Sequence, residues 1–319
     1  MPDDFIVTEN IDFELSGDGE HDFLWIEKSG ANTAWVSRQL AAHAGVAAKD
    51  VGYAGLKDRH AITSQWFSVR RPSGEGTDWS AFEAEGVRVV KISRHNKKLR
   101  RGAHRSNSFR IALRSAEIDG LRDEISSRVW IIEKNGIPNY FGEQRFGRGG
   151  GNIELAKAVF AGRRVKRDKR SIAISSARSL LFNHILDARV RNETWNQLLA
   201  GDVANLDGSG SIFAVDKMTP DLTDRCDACD IHPTGTLWGD GASLSSGGVA
   251  AAELEAVAGF DSLTEGLKSA RVEASSRALR LPVSNLNAEF SDEVVWLSFS
   301  LQKGGFATSV LREVATTEG

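Results

Sequence analysis

The chain has 319 residues, 41% of them hydrophobic and 26% charged, with a net charge of −3 and a mean hydropathy of −0.28; that is the balance of a soluble globular protein able to bury a sizeable core without metal or disulfide staples. No apolar run reaches membrane-span length, and the acidic start Met-Pro-Asp-Asp-Phe-Ile-Val lacks the basic and apolar regions of a signal peptide, so neither a membrane protein nor a secreted one is expected. Two cysteines, Cys226 and Cys229, are too few for a disulfide framework and fit a reducing compartment, the cytoplasm.

In chain order, Asn32 to Ala44 is expected to be a helix: Asn32 or Thr33 can cap it, and Val36, Leu40 and Ala44 share one face. Val51 to Ala54 is a short strand, Gly55 turns the chain, and Gln65 to Val69 is rich in strand formers. Val87 to Ile92 and the alternating Phe109, Ile111 and Leu113 predict two further strands, and Glu117 to Lys134 a helix ending at Gly136. The character then changes. A glycine loop, Gly147 to Gly151, leads to Asn152, a candidate cap for a helix over Ile153 to Ala161. A helix over Ser176 to Val190 follows, then a loop-rich acidic segment, then short helices over Ala250 to Ala258 and Leu263 to Ala270. The end returns to a strand, Val295 to Leu301, and a helix, Ala307 to Ala315, so the middle reads as an insertion into one sheet-based domain.

Charge is segregated along this order. Arg94 to Arg105 holds six Lys or Arg, two His and no acid; six of the eight residues from Arg163 to Arg170 are basic; Gly201 to Glu265 holds twelve acids and two bases. A polyanion responds to the local field, because salt screens charges beyond roughly 8–10 Å. The basic runs are either phosphate contacts or ordinary solvated surface.

Several chemistries lack their motifs. The seven His residues are scattered and Cys226-Asp-Ala-Cys229 stands alone, so no metal site is expected, and the two cysteines read as reduced loop residues. The Gly147 loop lacks the Gly-Lys-Ser/Thr ending of a phosphate loop and reads better as a hinge, and no nucleophile elbow is present. The most concentrated signal is Gly52-Tyr-Ala-Gly-Leu-Lys-Asp-Arg-His-Ala-Ile-Thr-Ser-Gln-Trp-Phe67. It sets Asp58 between Lys57 and Arg59, just after a strand and a glycine turn. Cations lower a carboxylate's pKa, and a desolvated, ionised carboxylate can act as nucleophile or base. On chemistry alone, Lys-Asp-Arg is equally a common surface turn.

This string resembles the signature of TruD-type pseudouridine synthases. So, in order, do PDDFIVTE at Pro2 to Glu9, the basic segment Arg94 to Ile111, GIPNYFGEQRFGRGGGN at Gly136 to Asn152, SARSLLFNHILDARV at Ser176 to Val190, and QKGGFATSVLRE at Gln302 to Glu313. The resemblance spans nearly the whole chain. It implies an α/β (α+β) pseudouridine synthase core with a mixed, largely antiparallel sheet, made of residues 1–135 and 283–319, and an inserted domain over 136–282.

The implied reaction breaks the N1–C1′ bond of a tRNA uridine, turns the uracil and rejoins it through C5, with uridine 13 of the D arm as the expected target and no cofactor. Asp58 matches the family's catalytic aspartate; whether it attacks base or ribose, or first removes a ribose proton, is left open. Asn107, Phe109, Phe5 and Phe306 match substrate-contacting residues, although Phe109 with Ile111 and Leu113 also reads as core. Arg312 is the expected cation near Asp58, with Lys57 and Arg59 as competitors. Arg94, Lys97, Lys98, Arg100, Arg101 and Arg105 are the expected contacts to tRNA phosphates. The expected partner is tRNA alone, bound by a monomer with no membrane or protein partner. Relatives usually carry a leader with a basic residue before the Pro-Glu-Asp-Phe segment, and this sequence starts at that segment. The alternatives are a non-catalytic tRNA-binding protein on the same fold and a metal-dependent nuclease.

Overall fold

A segment such as Val294–Gln302, buried at every second residue, satisfies its pattern only as a strand with one face on a core. Such strands dominate the structure, a computed structural model that describes residues 1–71, 76–115, 117–241, 243–291 and 293–315. The elements begin with β1 (Phe5–Ile11), β2 (His21–Lys28), α1 (Thr33–His43), β3 (Val51–Tyr53), β4 (Ile62–Arg70), β5 (Val87–His95), β6 (His104–Arg114) and α2 (Ile118–Asn135). Next come β7 (Ile137–Pro138), α3 (Gly151–Phe160), α4 (Arg167–Arg191), β8 (Val203–Leu206), β9 (Ile212–Ala214), α5 (Pro220–Asp227), β10 (Ile231–Leu237), α6 (Gly247–Ala256) and α7 (Asp261–Ser269). The last are β11 (Ser275–Ala278), β12 (Arg280–Leu281), β13 (Ser284–Ser291), β14 (Val294–Gln302) and α8 (Ala307–Val314). The chain divides into one unit of Met1–Val129 and Val283–Gly304 and a second of Trp130–Pro282 with the residues from Gly305 onward.

The first unit is built on an eight-stranded sheet of order β13-β14-β6-β1-β4-β2-β5, with β3 also on β4. Every pairing is antiparallel except β1 with β4, so the sheet is mixed and largely antiparallel. Strand β4 divides its pairing: residues 62–64 pair with β1, and residues 67–69 pair with β3. The chain between β3 and β4 therefore leaves and re-enters beside β1. On one face Leu24, Ile26, Phe67 and Val69 pack under Val36, Leu40 and Ala41 of α1. On the other Phe23 and Trp66 pack with Ala54 and Leu99. Burying a Leu, Ile or Phe contributes roughly 1.5–3 kcal/mol each, so this two-sided core fixes the central strands.

The second unit joins a helical cluster to a four-stranded sheet of order β11-β10-β8-β9 and a two-stranded ribbon, β12 on β7. Ala173, Ala177, Leu181 and Ile185 of α4 pack on Ala156, Leu263 and Leu267. Inside, Arg189 Nη1 meets Asp202 Oδ1 at 2.8 Å, and its Nη2 donates to the carbonyls of Thr194 and Gln197. The acidic segment expected to be loop-rich instead contains β8, β9, α5 and β10, while α6 and α7 overlap the two short helices expected after it; its Gly, Ser, Asp and Pro clusters mark short turns, and Pro220 opens α5 behind the cap Thr219. Cys226, read as a loop residue, is buried at the end of α5. Helix α4 begins nine residues before Ser176 and takes in part of the basic run. Asn152 does not cap α3: its amide donates to the Arg145 carbonyl at 3.1 Å, and Gly150 precedes the helix. Helix α8, grouped with the core in the sequence reading, lies by β7 in the second unit, where Arg312 stands 5.5 Å over the Tyr140 ring. No helix among the described residues is long and apolar enough to cross a membrane.

Gly52, in β3, has no room for a side chain. A Cβ there would meet the Leu99 carbonyl oxygen and lie 2.6 Å from Ser68 Oγ, which holds the Leu99 N–H. Gly52→Ala is therefore expected to destabilise the first unit by ~1–3 kcal/mol, read as a lower denaturant midpoint for its transition; an unchanged midpoint would contradict this packing.

Candidate active site

The loop from Ala54 to Ala61 joins β3 to β4, and fixed partners hold most of its backbone. Gly102 N–H donates to the Ala54 carbonyl at 2.8 Å, Gln65 Nε2 to the Gly55 carbonyl at 3.1 Å, and Lys57 N–H to Thr33 Oγ1 at 3.0 Å. Gly30 N–H donates to the Arg59 carbonyl at 3.0 Å, and Arg59 Nε returns a bond to the Gly30 carbonyl at 2.9 Å. Thr33 was a candidate helix cap; its hydroxyl instead donates to Gln65 Oε1 at 3.1 Å while accepting from Lys57, so the start of α1 serves the loop. The Asp58 side chain is exposed, and its Oδ1 accepts the His60 N–H at 2.8 Å. This is the self-bonded turn that aspartate favours, and it sets the carboxylate's direction.

A buried lysine and a buried ion pair sit under this turn. Lys28 is 1% exposed, and its ammonium donates to the Asp58 carbonyl oxygen at 2.8 Å. Burial holds Lys28 down to about 8, opposed by the Asp58 carboxylate and reinforced by Lys57. The second is an ion pair: Lys57 Nζ meets Glu9 Oε2 at 2.7 Å, with both side chains almost wholly buried. Glu9 Oε1 accepts the Trp66 N–H at 3.3 Å, in the interval where β4 changes partner from β1 to β3. Removing one partner of such a pair strands a buried charge, which typically costs 3–5 kcal/mol.

Register brings the next residues alongside. Glu9 is directly opposite Asn107 on β6, and Asn107 is opposite Leu301 on β14. The Asn107 side-chain oxygen is buried without a hydrogen-bond partner, and so is Nδ1 of His104. A Cβ on Gly55 would lie 3.3 Å from both the His104 ring and Lys57 Nζ, so these two groups flank the loop. Burial, then the Lys57 charge, lowers the His104 pKa. Phe109, two residues from Asn107 on the same face, is 9% exposed; it stacks on Phe299 at 5.2 Å and faces Phe5 at 6.3 Å. Phe109 is thus core as well as a neighbour of the site, while Phe5 keeps a partly exposed ring.

Of the expected residues, Asp58 and Lys57 lie on the loop, Lys57 is paired with Glu9 at the strand position opposite Asn107, and Phe109 and Phe5 lie farther along β6 and β1. Phe306 and Arg312 belong to the second unit, Phe306 immediately before α8. Arg59 is exposed and donates its Nε to the Gly30 carbonyl. In the basic run Lys97, Lys98, Arg100, Arg101 and Arg105 are exposed. Arg101 stacks 3.6 Å over Tyr53, and Lys98 bonds the Lys49 carbonyl. Arg94 is partly buried and donates to the Gly19 carbonyl at 2.7 Å, which makes it a structural tie. Sequence reasoning missed Glu9, Lys28, Gln65 and His104. The signal for two of them was present: Phe5, Val7 and Glu9, and Leu24, Ile26 and Lys28, each place a charge on an apolar face at period two. Among the described residues no group of three or more His, Cys, Asp or Glu is placed to hold a metal.

The model of the family tRNA pseudouridine synthase D (TruD) matches residues 1–163 and 154–314. A tRNA pseudouridine synthase D from Methylococcus capsulatus is 48% identical over 316 residues, covering 98% of this chain and 89% of that protein. One from Aeromonas hydrophila is 44% identical, covering 99% of this chain and 89% of that protein. A crystal structure assigned to tRNA pseudouridine synthase D from Methanosarcina mazei superposes with a TM-score of 0.78 over 99% of this chain and 92% of that one; at 18% identity it shows the shared fold. The expected fold class is therefore the observed one, and the chain belongs to the tRNA pseudouridine synthase D family, a family of isomerases.

Proposed function

We propose that the protein converts a uridine of tRNA, uridine 13 in the D arm, to pseudouridine, with Asp58 as the group on which glycosidic cleavage depends. The observation that carries this reading is an exposed carboxylate on a rigidly tied loop, one residue from an ion pair whose Glu9 faces an unsatisfied Asn107. The reaction is an isomerisation. N1–C1′ breaks, C5–C1′ forms, and the C5 proton is exchanged for one on N1, so nothing is imported and no cofactor is called for. Uracil presents an N3–H donor between two carbonyl acceptors. The unpaired Asn107 oxygen is suited to accept from N3–H, and its NH2 to donate to either carbonyl as the base turns. Phe5, at the exposed end of the Phe5–Phe109–Phe299 stack, offers a face for an extruded base. Stacking of roughly 1–3 kcal/mol offsets much of the few kcal/mol that unstacking costs.

The first unit is read as the catalytic core and the second as an inserted domain, because the tied loop and its neighbours all lie on the first unit's sheet. The exposed cations Lys97, Lys98, Arg100, Arg101 and Arg105 supply phosphate contacts, and the protein acts as a monomer on free tRNA in the cytoplasm. The ordered loop also favours catalysis over a non-catalytic tRNA binder, which would gain nothing from a buried lysine under the aspartate.

Incubating the protein with unmodified tRNA and no added cofactor should yield pseudouridine at one D-arm position. Asp58→Asn should slow product formation at least ~10³-fold while tRNA affinity stays within about threefold; full activity in that variant would remove the assignment. Lys28 gives a second check. As pH rises through about 8 the ammonium loses its proton, so the wild-type rate should fall there. Lys28→Met should be ~10–100-fold slower at pH 7 and should lack that limb. Stability should move the opposite way. The folded Lys28 pKa lies below the unfolded value of 10.5, so the unfolded chain binds more protons between the two, and wild-type stability should gain across that window relative to Lys28→Met. Parallel pH–rate profiles for the two proteins would refute the positioning role.

A further inference from the structure

The second unit holds several buried or half-buried arginines, and in three of them the Nε and Nη2 groups have acceptors. Arg189 is paired with Asp202. Arg178 donates to the carbonyls of Trp238, Leu237 and Glu273 and to Ser275 Oγ. Arg280 donates to His232 Nδ1 and to the carbonyls of Cys226 and Ile231. Arg277 on β11 and Arg145, on a short 3-10 turn before α3, break this rule. Arg277 lies 4.2 Å over the Phe141 ring, and Arg145 lies 5.3 Å from the same ring. Arg277 Nη2 donates to Asn139 Oδ1 at 2.6 Å, but its Nε is buried with no acceptor. Arg145 Nη1 donates to Ser175 Oγ at 3.1 Å. Neither forms an ion pair with a carboxylate among the described residues.

The local structure holds this pair in place. The Arg145 carbonyl accepts from Ser176 Oγ at 2.8 Å and from Asn152 Nδ2 at 3.1 Å, so the turn carrying Arg145 is fastened to α4 and α3. Arg277 is confined by β11 and by Phe141, with Phe182 5.6 Å beyond. Burial and then the like charge of Arg145 push Arg277 down to about 10. A fold needing only packing here would meet it with one arginine and its acceptors. Two guanidinia fixed on one aromatic ring, with donor capacity unused, repel each other until an anion arrives.

We propose that Arg145 and Arg277 form an anion site that takes a phosphodiester of the RNA substrate. The inference rests on the reading of the protein as a tRNA enzyme, and it adds a phosphate contact separate from the Arg94 to Arg105 run. Phosphate groups take bidentate guanidinium bonds, and both arginines pack on the one Phe141 ring.

The test measures tRNA affinity as a function of salt in an Asp58→Asn background, so that turnover does not intervene. Arg277→Gln and Arg145→Gln should each weaken binding, equally for unrelated tRNAs, and each should reduce the slope of log affinity against log salt by ~1. Arg277→Lys, which keeps the charge but loses the planar fork, should retain most of the slope. Thermal melting of each variant reports folding, and Arg145→Gln, which loses a single side-chain bond, keeps the test open if the Arg277 variants fail to fold. Wild-type slopes in folded variants would overturn the proposal. So would a second outcome: inorganic phosphate raising the wild-type melting temperature through these arginines while the tRNA slope is unchanged, which marks a free-phosphate site. Failure of pseudouridine formation by the wild type, with the slopes altered as expected, would instead count against the proposed reaction.

Discussion

The site depends on how one sheet edge is shared. Strand β4 gives the first half of an edge to β1 and the last half to β3, so the chain between β3 and β4 has to cross the junction. Backbone groups buried at such a junction need partners that water cannot supply. Glu9 and Lys57 meet that need as a buried pair, Thr33 and Gln65 hold the loop from α1 and β4, and Lys28 takes the carbonyl of Asp58. Asp58 is left as the exposed carboxylate on a backbone that has little freedom to move. On the proposed reading, preorganisation of this kind is what suits Asp58 to its role.

Much of this was legible from residue order, though unevenly. Strands β3, β4, β5, β6 and β14 and helices α1, α2 and α8 follow from runs of strand-forming residues, alternation and helical spacing. The roles of the Asp58 string, Asn107 and Phe109 came from the family resemblance, since Lys-Asp-Arg alone is an ordinary turn. Lys28 and Glu9 escaped because a charge on an apolar strand face looks like a strand end until its partner is known, and that partner lies 30 residues away for Lys28 and 48 for Glu9. The middle of the chain misled for a different reason. Its turn-forming residues are dense, but they separate short strands and helices that bury their apolar sides on α4 and on one another.

The second unit shows how charge placement is constrained by burial. Its ionised groups inside are matched almost group for group: Arg189 with Asp202, and Glu253 with Thr236 and Ser245. Against that background the Arg145–Arg277 pair is an exception, and exceptions to polar satisfaction tend to mark functional positions. The net charge of −3 hides this, since the acids of the segment from Gly201 to Glu265 outnumber its bases while the arginines around Phe141 stay together.

The account stands most directly on a pseudouridine map of total RNA from cells with and without the active protein. It predicts that one tRNA D-arm position loses its pseudouridine when the protein is absent, regains it with the wild type, and stays unmodified with Asp58→Asn. An identical map in the presence and absence of the protein, or full restoration by Asp58→Asn, would contradict it.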